Sequence, residues 1–91
     1  MPPQQRITLI PDPPVQGQEV DICYDFVGSG VTSTRLRVTF TSSTGDPSGA
    51  EYEVDEANNC VKVTVPSDAE TILVEDLDGP SPDQSAIVEN G

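Results

Sequence analysis

The chain has no histidine, no tryptophan, one lysine and only two cysteines in 91 residues. Without His, and with so few Cys, the ordinary zinc motifs with their four ligands are excluded. Nucleophile and base pairs shrink to carboxylates and hydroxyls, and a glycosidase-type carboxylate pair needs a sugar cleft for which a chain this short has little room. An enzyme is therefore not expected. Basic residues are equally scarce: Arg6, Arg35, Arg37 and Lys62 stand against sixteen Asp and Glu, for a formal charge of −12. Such a balance repels phosphate backbones and anionic lipid, so neither nucleic acid nor membrane insertion is expected. Solvation of the surface accounts for this charge, as would adaptation to a high-salt habitat. No apolar run of about 18 residues occurs, so no segment reads as a membrane-spanning helix. The opening Met1-Pro-Pro-Gln-Gln lacks the charged and apolar regions of a signal peptide, the start expected of a mature domain carrying an added Met1.

What is present is strict two-residue alternation. Glu19-Val-Asp-Ile-Cys-Tyr-Asp-Phe26 puts Val20, Ile22, Tyr24 and Phe26 on one face and Glu19, Asp21, Cys23 and Asp25 on the other, the period of a half-buried strand. Cys60-Val-Lys-Val-Thr-Val65 repeats the pattern with its Val residues inward and Cys60, Lys62 and Thr64 outward. Thr34 to Thr41 alternates with Leu36, Val38 and Phe40 inward, and Ala50 to Val54 with Tyr52 and Val54 inward. Shorter runs at 6–10, 71–75 and 85–89 complete seven strands, with Pro, Gly, Asp and Ser between them and no helix-period segment. All four aromatics, Tyr24, Phe26, Phe40 and Tyr52, have core parity, which disfavours a stacking platform for sugars or bases. The two cysteines both fall on outer faces, and a disulfide between them would place the protein in an oxidising, extracellular or cell-surface compartment.

Seven short strands about ten residues apart are the signature of a Greek-key sandwich. The Pro11 to Gly17 corner leading into Val20-Asp-Ile22 and the Gly79-Pro-Ser-Pro turn before the last strand resemble the immunoglobulin-like and fibronectin type III-like superfamily. Leu36 stands where antibody domains carry a Trp. The resemblance implies an all-β, seven-stranded immunoglobulin-like sandwich over residues 1–91, with 1–5 a disordered tail. It also implies that the second and fifth strands, B and E in that family, are neighbours, so that Cys23 and Cys60 would be joined across the outside of one sheet.

Two candidate sites follow from that topology. The D–E and F–G loops would share one pole and bring Asp55, Glu56 and Asn58 near Asp76, Asp78 and Asp83, oxygen donors of the kind calcium takes, although no EF-hand spacing is present. The opposite pole collects Asp12, Asp46 and Asp68, which read as turn formers. On the outer face of the C–F–G sheet, Arg35 and Arg37 would stand across from Glu75, with Leu73 and Ile87 exposed beside them, a candidate partner patch. The expected function is a non-enzymatic extracellular binding or adhesion module for a protein or glycan, through loops or a sheet face. The alternatives are a structural spacer within a larger surface protein and a calcium-binding module.

Overall fold

Branched apolar residues at every second position bury one face of each run and leave the other wet, and two such faces must cover each other. The computed structural model describes residues 4–91 and contains seven strands and no helix. These are β1 (Ile7–Ile10), β2 (Glu19–Tyr24), β3 (Ser33–Thr41), β4 (Ser48–Asp55), β5 (Cys60–Thr64), β6 (Thr71–Asp76) and β7 (Gln84–Ile87). They form two antiparallel sheets, one in the order β1-β2-β5 and the other β4-β3-β6-β7.

The core lies between the sheets. Ile7, Leu9, Val20, Ile22, Tyr24, Val63 and Val65 from one side meet Leu36, Val38, Phe40, Val54, Ile72 and Val74 from the other. Val20, Ile22, Tyr24, Leu36, Val38, Phe40, Val54, Val63 and Val65 keep the inward parities expected from the sequence. Phe26 departs in part: β2 ends at Tyr24, where the Asp25 carboxylate accepts from the Val27 N–H at 3.0 Å and starts a turn. Phe26 is only partly buried, its ring 4.7 Å from that of Tyr24. β4 extends further than Ala50–Val54 in both directions and pairs with β3, so the sheet expected to expose three strands exposes four.

Cys23 and Cys60 are direct partners in the β2–β5 ladder and are joined by a disulfide. The Tyr24 N–H donates to the Asn59 carbonyl at 2.8 Å, so the neighbouring Cys23–Cys60 pair is a non-hydrogen-bonded one, the kind whose side chains approach most closely. The expected pairing across the outside of that sheet is what the fold contains.

The proline-rich segment after β1 reaches across to the other sheet. Gln16 N–H donates to the Glu89 carbonyl at 2.9 Å, and Glu89 N–H donates to Pro14 at 2.8 Å. Gly17, at φ 76°, then turns the chain into β2, a conformation that glycine adopts without a Cβ penalty. Of the tail expected over 1–5, residues 1–3 lie outside the described residues. Gln5 is tied down, accepting from the Ile7 N–H at 2.9 Å and the Ser81 hydroxyl at 3.0 Å and donating to the Asp83 carbonyl at 3.0 Å.

Candidate functional site

The β3 register sets out the wet face of the four-stranded sheet row by row. Arg35 lies opposite Glu53, Arg37 between Glu51 and Glu75, Thr39 between Gly49 and Leu73, and Thr41 beside Thr71. β7 continues the last two rows, with Ser85 beside Leu73 and Ile87 beside Thr71. Half the face is thus a charged lattice. Arg37 bridges Glu51 at 3.8 Å and Glu75 at 3.7 Å, and Arg35 reaches Glu51 at 3.5 Å and Asp78 at 2.9 Å. The predicted juxtaposition of Arg35 and Arg37 with Glu75 holds for Arg37. Arg35 turns instead to Asp78, a residue expected at the acidic pole.

The other half of the face carries no charge. Gly49, Thr39, Thr41, Leu73, Thr71, Ser85 and Ile87 fill it, with Ile87 77 % exposed. Leu73, expected to be exposed, is half-buried between its neighbours on β3 and β7.

The acidic pole comes apart on inspection of each carboxylate. Asp76 accepts at one oxygen from the Thr34 hydroxyl and the Gly79 N–H, and at the other from the Tyr24 hydroxyl at 2.5 Å and the Ser81 N–H at 3.0 Å. Its carboxylate holds the β6–β7 loop to β2 and β3. Asp78 is gripped by Arg35 through two guanidinium hydrogen bonds, at 2.9 and 3.0 Å, and this holds its carboxyl below the usual carboxylate range. Asp55 accepts from the Asn58 N–H at 2.7 Å within its own turn. Glu56 borders a separate hollow of about 310 Å³ with Tyr24, Asp25, Phe26, Val27 and Asn59. Asp83 is exposed. Asp55, Glu56, Asn58, Asp76, Asp78 and Asp83 therefore do not form one donor set, and among the described residues no group of three or more His, Cys, Asp or Glu is arranged to hold a metal ion.

The sequence reading missed this Tyr24–Thr34–Asp76 cluster, because parity placed Tyr24 and Thr34 inward without saying what their hydroxyls meet. Burial first, and then the adjoining Asp76 carboxylate, push the Tyr24 hydroxyl above its ordinary range. Ser81 extends the cluster to the start of the chain, accepting from the Arg6 N–H at 3.1 Å. The available signal was the pairing of an inward Tyr and Thr with a strand-ending Asp before a Gly-Pro turn.

No family model, curated protein or solved structure matches this chain. Function must accordingly be argued from the two faces and their edges.

Proposed function

We propose that the chain is an immunoglobulin-like Greek-key module, non-enzymatic and extracellular or cell-surface, that docks a protein partner on the outer face of its four-stranded sheet. The strand order β1-β2-β5 against β4-β3-β6-β7, with connections that pass between sheets after β2, β4 and β5, supports the family architecture. The Cys23–Cys60 bond supports an oxidising compartment.

One observation carries the docking surface. On a molecule of net charge −12, the rows Gly49–Thr39–Leu73–Ser85 and Thr41–Thr71–Ile87 form a patch without a formal charge, bordered on one side by the Glu51–Arg37–Glu75 row. Uncharged centres with a polar rim are the anatomy of protein–protein contacts. A face whose two arginines are already paired suits another protein surface better than a small ligand.

The test is capture from a panel of purified extracellular proteins. A partner retained by the wild type and by Thr8→Asp, on the outer face of the other sheet, should be lost with Ile87→Asp. A partner that ignores Ile87→Asp, or a panel that yields none, rejects the docking surface.

A further inference from the structure

The four sheet edges are not protected alike. At β1, the edge-facing groups of Ile7 are capped by side chains, its N–H by Gln5 Oε1 at 2.9 Å and its carbonyl by Gln84 Nε2 at 3.3 Å, and Pro11 follows the strand. β7 is four residues long and is followed by the Pro14–Gln16 crossing. β5 carries Lys62 and the disulfide. These are the ordinary means by which proteins blunt an edge. β4 has eight residues, with Pro47 just before it but no Pro or Lys within it, and no covering segment among the described residues.

Its free groups can be read from the register. The Arg35 carbonyl accepts from the Leu77 N–H at 2.9 Å on the β6 side, so Arg35, and by alternation Arg37 and Thr39, bond toward β6. Their partners on β4, Glu53, Glu51 and Gly49, therefore turn their N–H and C=O groups to the open edge. Beside this row lies a trench of about 220 Å³ between β4 and β5, lined by Val38, Phe40, Ala50, Tyr52, Val63 and Pro66. Ala50 and Tyr52 point toward it, while Glu51 and Glu53 point to the outer face.

We propose that the β4 edge is a strand-addition site for an extended basic segment of a partner protein, with Lys or Arg alternating with apolar residues. Main-chain hydrogen bonds to Gly49, Glu51 and Glu53 would extend the four-stranded sheet by one strand. The apolar side chains of the incoming strand enter the trench beside Ala50 and Tyr52. Its cations lie alongside Glu51 and Glu53, and Glu53 has no ion-pair partner among the described residues. A second copy of this chain is the disfavoured occupant, because antiparallel β4–β4 pairing sets these glutamates against each other. This edge meets the uncharged half-face only at Gly49, and Ile87→Asp tests the half-face without touching the edge.

The probe is a peptide matching β4 in length that alternates Lys with Val, added to the isotope-labelled, disulfide-intact protein and followed by amide NMR and hydrogen exchange. The amides of Gly49, Glu51 and Glu53 should shift and gain protection, while those of Ala50, Tyr52 and Val54, already bonded to β3, change little. Methylating alternate peptide nitrogens should weaken binding about tenfold or more, since the charge stays and the ladder is lost. Glu53→Lys and a Glu–Val peptide should each weaken it comparably, and Ile87→Asp should leave it unchanged. Equal binding of the N-methylated peptide, with shifts scattered over the acidic surface, overturns the proposal in favour of plain charge adhesion. The same alternating shifts appearing with protein concentration alone overturn it in favour of a second copy.

Discussion

At Gly79 the structure leaves no room for a side chain. A Cβ at that position would sit 2.5 Å from Asp76 Oδ2 and 2.6 Å from the Tyr24 hydroxyl, inside any tolerable contact. The loop can close over the carboxylate only because that carbon is missing. Gly79→Ala should therefore displace Asp76 from its donors, and the expected loss is about 1–3 kcal/mol, measured by urea denaturation. Tyr24→Phe removes one donor and leaves three, for an expected loss of about 1–3 kcal/mol by the same measurement. The proton linkage gives an independent check. The folded Tyr24 hydroxyl titrates above its unfolded value, so its contribution is complete below pH ~10 and is lost as pH rises toward the folded value. In a Tyr52→Phe background, where Tyr24 is the only tyrosine, phenolate absorbance should appear together with unfolding rather than before it. A tyrosinate signal at pH ~10 in a protein with intact β-sheet dichroism would show that the hydroxyl is not held by Asp76.

At the scale of the strand, alternation was enough to place Val20, Ile22, Leu36, Val38, Val54 and Val63 in the core, because period two leaves only one of two faces for each run. The same logic set Cys23 and Cys60 outward. Their registration needed more, since parity gives a face and not a partner, and it followed only once β2 and β5 were taken as neighbours. Ends were less legible. β2 stops before Phe26 because Asp25 prefers to cap a turn, and β4 runs past Ala50 because Gly49 and Ser48 still find partners on β3. The disulfide closes a separation of 37 residues, and in the chain-entropy picture this constrains the unfolded chain by about 4 kcal/mol. Cys23→Ala with Cys60→Ala should lose about 3–4 kcal/mol of that stability in urea while keeping the β dichroism, because Val20–Val63 and Ile22–Val61 still register the strands. A reduced or doubly substituted protein as stable as the oxidised one would remove the staple from the account.

For the molecule as a whole, composition foretold the sandwich and the charge but not how the charge is arranged. The Asp55–Asn58 and Asp76–Asp83 segments read as one acidic pole because sequence gives loop composition without side-chain direction. In the fold Asp76 turns inward to Tyr24 and Thr34, and Asp78 turns back to Arg35. The three arginines are all engaged, Arg6 with the Asp25 and Val27 carbonyls and the other two in the lattice, so most of the sixteen acids remain uncompensated. Exposed pairs contribute little individually, and the net repulsion acts on every element. Added salt should accordingly raise the thermal midpoint at neutral pH, whereas a molecule held together mainly by its ion pairs would be weakened by it. Acidification acts on the Arg35–Asp78 contact. The folded value of Asp78 is depressed, so the contact contributes above the ordinary carboxylate range and is lost as pH falls through that folded value. Asp78→Asn should therefore flatten the acid limb of the stability curve. The salt curve also separates the two readings of the charge. If the acids serve solvation, the gain saturates near physiological ionic strength, where the screening length is already about 8 Å. If the molecule is built for concentrated brine, the midpoint should keep rising toward molar salt, where that length has shrunk to about 3 Å and screening has little left to give.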